Sequence, residues 1–479
     1  MKQHLVRLMV LLVLSGTSCE QKALKNKPLE NSVGPLPLNA ALADMDFFFK
    51  TVEHVHPNHL ANISAKEYES LKSRCRAAFD EENQTHGTIS KSFLALTTAE
   101  AAASFGDGHT YCSPGPDLVN VADQSLLMPP FKMEWKAGHI AIADTIDKLK
   151  QLKGARLLKI NDTDINEFLE PILTKISGER QAFRISSFLR KQQIYWALIQ
   201  PVPQKQMQII ISRGIEEPHK MTVDLIDLPR YAETFGHESG YPEPSRYWFY
   251  HDNRTCYWRY NSFNYSEPGR KHIDTVFADI REKNAENLII DLRFNGGGNS
   301  MAADYIMNYI TSKPYCLYSG SDVKISRQIP HKEQLGILSI FMRGRIIKYR
   351  KKGKLKKPAD MDYRFPGRVY ALIGPATYSS ASDFAAALED FDIATLVGEE
   401  TGGLRECFGD APRFPMPNSG IKFGVSHKRW YAPVPKPGDD KQGATPDIAI
   451  NDELLAPYMN ANDPVLAFTL NMIAKQDQI

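Results

Sequence analysis

The spacing of apolar residues predicts helices at the start of the folded chain. In the stretch LNAALADMDFFFKTVEHVHP the apolar positions recur every three to four residues, and the pattern stops at Pro57. A second helix is predicted to open at Ser64, because Glu67 completes a capping box with it. A third predicted helix begins near Ser90 and ends at Gly106. We therefore expect a helical domain over residues 38–115.

The next part of the chain alternates short strand-like runs with one helix. The run GARLLKIN, beginning at Gly154, predicts a strand, and a turn and a helix from Ile165 follow it. This arrangement resembles the core of a PDZ domain, a module that binds an extended peptide along a sheet edge. We expect a PDZ-like α+β module over residues 120–230. The long insertion at 177–204 departs from a compact PDZ domain and predicts an altered or blocked groove.

The third region repeats a strand–loop–helix pattern. A continuous apolar run ends at Asp291, a glycine loop follows, and helix-like residues begin at Met301. A second apolar strand ends at Ile373, and a helix is predicted from Asp383 onward. Such repetition predicts an α/β fold with a parallel sheet over residues 245–475, whose working loops lie at the carboxyl ends of its strands.

Three serines lie between the second strand and its helix: Ser379, Ser380 and Ser382. Serine is a favoured N-cap, so capping explains them. Alternatively, one of them is a nucleophile beside the unpaired N–H groups of the helix start. The loop at Gly296–Gly298 lacks the phosphate-binding pattern; it is a tight turn, or its glycines let backbone N–H groups approach a bound carbonyl.

The first residues predict export. Residues 1–19 combine positive charge, a short apolar run and small residues before Cys19, as in a signal peptide. The end of this segment resembles a bacterial lipoprotein box, which implies lipidation of Cys19; a plain cleaved signal peptide is the alternative. Residues 20–37 are a polar linker. The expected location is therefore the periplasm or the outer membrane of a bacterium, with a lipid tether.

Composition and charge limit the classes of partner and cofactor that we expect for this chain. The 479 residues carry a net charge of +2, which gives no argument for a nucleic-acid partner. The five cysteines after Cys19 are too few and too scattered for a disulfide framework, so buried thiols are expected. The spacing of His54, His56 and His59 fits no known metal site, and we expect neither metal nor cofactor.

One basic run remains outside these assignments. The insertion at 343–357 is strongly basic, and a solvated surface is the default interpretation. Contact with anionic lipid or the cell wall is the alternative.

Four motifs together carry a family resemblance. They follow one another along the chain as LIIDLRFNGGG, GPATYSSASDFAAAL, LVGEETGG and GATPDI. These motifs and their order resemble those of the tail-specific (C-terminal processing) serine peptidase superfamily. The resemblance implies a crotonase-like (ClpP/crotonase) catalytic core. It also implies that Ser380 is the nucleophile, with Ser379 as the fallback, and that the N–H groups of Gly297 and Ala381 form the oxyanion hole.

The resemblance also constrains the base. One branch of the superfamily uses a lysine, but this chain has Arg405 there, and arginine does not deprotonate in proteins. The branch that resembles the tricorn core uses a histidine. Its D-x-H signature matches Asp107 and His109, so His109 is the expected base. Asp440 is the expected third member, and Glu399 is the second choice.

These residues predict a serine endopeptidase. It would cleave peptides, unfolded protein or protein tails in the cell envelope by acyl-enzyme chemistry. The alternative is a catalytically inactive peptide-binding protein on the same fold, and a small-ligand carrier is a weaker third interpretation. Oligomeric state is not predicted.

Overall fold

The structure is a computed structural model and describes residues 34–115, 118–120, 122–213, 217–236, 245–351, 354–459 and 461–476. Within these ranges the chain forms two compact units. The N-terminal unit contains the described residues of 34–236 together with 411–426. The C-terminal unit contains those of 245–410 and 427–476.

The α-helices are α1 (Leu38–Val55), α2 (Ala65–His86), α3 (Lys91–Ala103), α4 (Ile165–Leu173), α5 (Gln181–Arg190), α6 (Gln192–Ile199), α7 (Leu228–Phe235), α8 (Glu267–Glu282), α9 (Ser300–Ile310), α10 (Ser380–Asp390), α11 (Asp452–Leu455) and α12 (Pro464–Gln476). The strands are β1 (Leu127–Met128), β2 (Phe131–Lys136), β3 (His139–Thr145), β4 (Arg156–Ile160), β5 (Thr163–Asp164), β6 (Gln206–Ser212), β7 (His219–Asp224), β8 (Ile226–Asp227), β9 (Arg246–Tyr250), β10 (Thr255–Arg259), β11 (Asn287–Asp291), β12 (Gly320–Lys324), β13 (Ile346–Arg350), β14 (Arg368–Ile373), β15 (Thr395–Gly398), β16 (Cys407–Gly409), β17 (Arg413–Pro415), β18 (Lys422–Gly424), β19 (Lys428–Tyr431) and β20 (Ile448–Ala449). The mixed α/β fold expected from the sequence is confirmed.

The N-terminal unit begins with the three expected helices. The Ser64 hydroxyl accepts the backbone N–H of Glu67, and the Glu67 carboxylate accepts that of Ser64, so the predicted capping box opens α2. An antiparallel sheet of order β2-β3-β4-β6-β7 follows, with β5 paired to β4. The insertion at 177–204 contributes α5 and α6. The separate boundaries proposed for a helical domain and a PDZ-like module stay predictions.

A six-stranded sheet organises the C-terminal unit in the order β20-β15-β14-β11-β10-β9. All neighbours in it are parallel except the β9–β10 pair. Because side chains alternate across a strand, Leu288 and Ile290 join a core with α8, α9 and α10. Ile289 between them joins a core with α12 on the other face. The sheet is therefore covered on both faces, as its continuous apolar strands require.

Helix α8 begins at Glu267, ahead of its first buried apolar residue, Ile273. The hydroxyl of Ser266 accepts the N–H of Gly269, and Pro268 fits the first helical turn, so local capping extends the helix.

A second, antiparallel sheet in the C-terminal unit has the order β13-β12-β19-β16. Strand β13 lies at its edge, and a short 3-10 helix, Gly336–Phe341, precedes it. The five cysteines of the described chain are free and buried, as expected: Cys75, Cys112, Cys256, Cys316 and Cys407. No helix in the described ranges has both the length and the apolar character to cross a bilayer.

Candidate active site

The three serines lie at a sharp turn between β14 and α10. Ser379 adopts φ 55° and ψ −131°, a conformation that non-glycine residues rarely hold because it costs energy. Ser380 follows as the first residue of α10 and is 7% exposed. Its hydroxyl donates to the carbonyl oxygen of Gly298 at 2.9 Å. A strained strand-to-helix turn that presents a serine at the helix start is the geometry of a nucleophile elbow.

The neighbouring hydroxyls hold this turn in place. Ser382 donates to the carbonyl oxygen of Thr377 at 2.9 Å. The Thr377 hydroxyl donates to the carbonyl oxygen of Leu292 at 2.8 Å and accepts the N–H of Gly374. Ser382 and Thr377 are buried, so their hydroxyls serve the shape of the turn.

The glycine loop after β11 packs against the serine turn. A β-carbon on Gly297, whose φ is +96°, would lie 2.7 Å from Cβ of Ser379 and 3.0 Å from the backbone N of Ser380. A β-carbon on Gly298 would lie 2.4 Å from the carbonyl oxygen of Phe263. The loop therefore uses its glycines for close approach to neighbouring backbone and side-chain atoms. The approach of its N–H groups to a bound carbonyl stays a prediction.

Asn295 organises this contact and was not identified from the sequence. Its side-chain nitrogen donates to the carbonyl oxygen of Tyr260 at 2.7 Å, and its Oδ1 accepts the N–H of Gly297 at 2.8 Å. Its own carbonyl oxygen accepts the N–H of Tyr378 at 3.0 Å. Fully buried Asn295 thus joins three segments around Ser380.

The two residues expected to form the oxyanion hole lie beside Ser380. Their N–H groups already have acceptors here: Gly297 donates to Oδ1 of Asn295, and Ala381 donates to the carbonyl oxygen of Tyr378 at 3.1 Å. The structure brings Gly297, Ser380 and Ala381 together, and their role as oxyanion donors stays a prediction.

Arg405 occupies the position where one branch of the superfamily has lysine, and it is an ion-pair centre. Its guanidinium contacts the carboxylates of Glu389 and Asp390 at 2.5 Å and that of Asp439 at 2.9 Å. Burial disfavours the charge of Arg405, yet these carboxylates raise its pKa above the ordinary value. Arg405 therefore ties the end of α10 to a later loop and takes no proton from a serine.

The two carboxylates proposed as third member lie in different settings. Asp440 is exposed, whereas its buried neighbour Asp439 contacts Arg405. Glu399 directly follows β15 and is partly buried. Its backbone N–H donates to the carbonyl oxygen of Ile373, the last residue of β14, at 3.1 Å. Glu399 therefore lies at the same sheet edge as the serine turn.

Two further titratable groups of the C-terminal unit have shifted pKa values. Burial, and then the negative charge of Asp410, raises the pKa of Asp383 in the first turn of α10 to about 7. Burial, and then the charge of Lys428, lowers the pKa of His427 to about 4. Nδ1 of His427 bonds to the carbonyl oxygen of Asp410 at 2.6 Å, which makes Nδ1 the protonated nitrogen of a neutral ring.

The expected base, His109, belongs to the N-terminal unit. Its backbone N–H donates to Oδ1 of Asp107 at 2.9 Å. Oδ2 of Asp107 bonds to Nε2 of His56 at 3.1 Å and accepts the hydroxyl of Ser426 at 2.7 Å. Since Nδ1 of His56 accepts the N–H of Asn58, Nε2 carries the proton and donates to Asp107.

Asp107 is therefore a buried carboxylate with three donors. Burial alone would raise its pKa, but the hydrogen bonds that the carboxylate accepts, that of His56 first, hold the pKa well below the ordinary value. An ionised Asp107 fixes the turn that carries His109. No sequence pattern indicated that His56 and Ser426 would be its partners.

One group in the N-terminal unit has the composition of a cation site. Ligand atoms of Asp107, His109 and Glu179 lie within 4.8 Å of one another. The Glu179 carboxylate also accepts the N–H of Gly108 at 3.2 Å. Because the oxygens of Asp107 already accept protein donors, the arrangement is explained without a cation. Cys19, the expected lipidation site, lies outside the described residues.

Comparison with known proteins gives one matching family model and several similar folds. Residues 254–450 match the sequence model of Peptidase family S41. No curated protein matches the sequence of this chain. The fold is similar to that of mature CPAF complexed with lactacystin, with a TM-score of 0.59 and 14% identity over 91% of this chain and 99% of that one.

Two further solved structures are similar. Mature CPAF alone gives a TM-score of 0.58 and 14% identity, covering 91% of this chain and 98% of that one. The photosystem II D1 C-terminal processing protease gives a TM-score of 0.40 and 11% identity, covering 87% of this chain and 94% of that one.

Proposed function

We propose that this chain, a serine peptidase of the tail-specific superfamily, is an endopeptidase that cleaves peptides or unfolded protein tails through an acyl-enzyme. Ser380 would attack the substrate carbonyl, and N–H groups beside it would stabilise the oxyanion. The observation that carries the proposal is the strained Ser379–Ser380 turn held against the glycine loop.

His109 is proposed as the general base of this reaction. The support for this role is chemical, because an imidazole can take up a proton near neutral pH. Arg405 pairs with three carboxylates and cannot act as the base that a lysine provides in the other branch. For the third member, the position of Glu399 at the sheet edge of the serine turn favours it over exposed Asp440. Both carboxylates remain open to test.

The core is proposed to be crotonase-like. Two strand–loop–helix units, β11 with α9 and β14 with α10, lie side by side on parallel strands and support this proposal. The module built on β2, β3, β4, β6 and β7 is proposed to be PDZ-like, as its strand and helix order suggested.

A peptide groove along β2 of this module would be blocked. Strand β2 is an edge strand, and a ligand would need its outward N–H and carbonyl groups. At Met133 both are taken, because Gln192 accepts the N–H at 2.9 Å and donates to the carbonyl oxygen at 3.0 Å. Gln192 belongs to the insertion that the sequence indicated as an obstruction.

The chain is also proposed to be exported and to carry a lipid on Cys19 that tethers it to a membrane. Metabolic labelling with a fatty-acid analogue should mark the wild-type chain and not the Cys19→Ser variant. Labelling of both chains would remove Cys19 as the lipid site.

Turnover of a diverse peptide pool, followed by mass spectrometry, tests the enzymatic proposal. The wild-type chain should produce internal cleavages, and Ser380→Ala should produce none. Ser73→Ala is the matched control, because its exposed hydroxyl bonds only to the carbonyl oxygen of Glu69 in the same helix and lies in the N-terminal unit. Peptide binding without any cleavage by the wild-type chain would favour the inactive peptide-binding alternative.

A further inference from the structure

The loop before β13 exposes large apolar side chains in the C-terminal unit. Within the basic–apolar loop, which we define as residues 332–348, Ile337 is 76% exposed and Phe341 is 78% exposed. Leu338 and Ile340, on the same short 3-10 helix, are 41% and 40% exposed. A contiguous exposed set of this size marks an interaction surface.

Buried polar side chains hold the loop in this conformation. Gln334 is fully buried, accepts the N–H of Ser326 at 2.7 Å and donates to the carbonyl oxygens of Ser326 at 2.8 Å and Ile329 at 2.7 Å. Ser339 is 1% exposed and donates to the carbonyl oxygen of Gly336 at 2.7 Å. Polar residues therefore face inward and apolar residues face outward, the reverse of an ordinary solvated loop.

Basic side chains flank the apolar ones. Four basic side chains of the loop are exposed: Lys332, Arg343, Arg345 and Lys348. None of the four forms an ion pair with another residue of the described ranges. Nearby Arg350, by contrast, contacts the carboxylate of Asp322 at 2.7 Å. The stretch 343–357 contains nine lysines and arginines and no acidic residue. The loop, which also contains Glu333, thus carries an excess of positive charge beside its apolar side chains.

We propose that the basic–apolar loop binds the surface of a membrane that contains anionic lipids. The apolar side chains enter the boundary between headgroups and acyl chains, and the basic side chains contact lipid phosphates. A nucleic acid would use the charge and leave the four apolar side chains in water. A second copy of the same face would bring like charges together, which opposes self-association. An anionic membrane surface, with acyl chains beneath charged headgroups, matches both features.

Vesicle sedimentation of the full chain tests this proposal. Every protein carries Cys19→Ser, so that no lipid anchor contributes. The probes are vesicles of phosphatidylcholine alone and vesicles of phosphatidylcholine mixed equally with phosphatidylglycerol. We expect preferential binding to the anionic vesicles, weakened by added salt. Arg343→Glu/Lys348→Glu should lower the partition coefficient about tenfold or more, since each basic residue near the surface contributes severalfold.

A second variant tests the apolar part. Ile337→Ser/Phe341→Ser should also lower anionic-vesicle binding by about tenfold or more, because both side chains lose their place in the acyl boundary. The matched controls are Leu454→Ser/Met459→Ser, also exposed apolar residues, and Lys271→Glu/Arg246→Glu. These controls should bind vesicles like the parent chain.

Three outcomes would overturn the proposal. The first is equal binding of parent and loop variants to both vesicle types. The second is a dimer that the loop variants dissociate while vesicle binding stays unchanged, which would assign the loop to a second copy. The third is a raised peptide KM in the loop variants without any change in vesicle binding, which would assign it to substrate. An unchanged unfolding temperature shows that the variants fold.

Discussion

Gly297 lies against Ser379 so closely that a β-carbon on the glycine would be 2.7 Å from the β-carbon of the serine. The same added atom would be 2.8 Å from the carbonyl oxygen of Tyr378. The glycine loop and the serine turn therefore define each other's position, and Ser380 depends on both.

Gly297→Ala should disable the site. The new methyl group displaces the turn, and the φ of +96° is strained for alanine. We expect kcat to fall about a hundredfold or more, since misplacement by about 1 Å costs that much. Gly420→Ala is the control, because its φ is also positive and nothing lies within 4 Å of the added carbon. Equal activity of the two variants in peptide turnover would contradict the packing argument.

Asp107→Asn should destabilise the chain above pH 4. The pKa of Asp107 is depressed in the folded chain, so its ionised form contributes stability above its ordinary pKa and loses it as the pH falls through the lower folded value. The variant should lose about 1–3 kcal/mol at pH 7, the cost of disturbing a buried hydrogen-bonded group. Denaturant unfolding at several pH values measures the difference, which should shrink toward acid pH.

The same variant addresses the positioning of His109. Because the carboxylate holds the backbone N–H of His109, a lower kcat at unchanged KM should accompany the stability loss. Asp107→Glu, which retains the charge, should recover part of the stability. A stability difference that does not vary with pH would mean that folding does not shift the pKa of Asp107.

Arg405→Met should be severely destabilising. It leaves Glu389, Asp390 and Asp439 without their shared cation, and breaking a buried pair typically costs about 3–5 kcal/mol. Arg254→Met is the matched control, since Arg254 forms an exposed, solvent-screened pair with Glu286 and its replacement should cost far less. Similar unfolding free energies for the two variants would contradict the assignment of Arg405 as an ion-pair centre.

Asp383→Asn should stabilise the chain at alkaline pH. The pKa of Asp383 is raised to about 7, so the folded chain binds a proton that the unfolded chain releases, and stability falls as the pH rises through 7. Asparagine resembles the protonated acid and removes this loss. The variant should match the wild type near pH 4 and exceed it at pH 8 in denaturant unfolding.

Asp392→Asn is the control for that measurement. The side chain of Asp392 is fully exposed, and its φ of 49° suits asparagine. Its stability difference from wild type at pH 4 and pH 8 gives the baseline for an exposed carboxylate. If the difference for Asp383→Asn follows this baseline, folding does not raise the pKa of Asp383.

Strands with strong apolar patterns could be predicted from the sequence, whereas the hydrogen bonds that hold the candidate site in place could not. Strands β11 and β14 follow from continuous apolar runs that only a covered parallel sheet accommodates. The role of Asn295 depends on Tyr260 and Tyr378, which the sheet brings together. Such long-range hydrogen bonds leave no local pattern in a sequence.

The hydrogen bonds around Asp107 also join residues that are far apart in the sequence, so they could not be predicted from it. His56 precedes Asp107 by 51 residues, and Ser426 follows it by 319. The sequence motif identified Asp107 and His109 through a resemblance, but the buried partners follow only from tertiary structure. The φ of Ser379 is likewise imposed by packing, since serine has no intrinsic preference for it.

The rate and site of fluorophosphonate labelling test the central claim most directly. Peptide mapping of the full chain should find one adduct, on Ser380, absent from Ser380→Ala and present in Ser73→Ala. His109→Gln should slow its formation about a hundredfold or more, the contribution of a general base. Labelling of a different serine, or an unchanged rate in His109→Gln, would contradict the account.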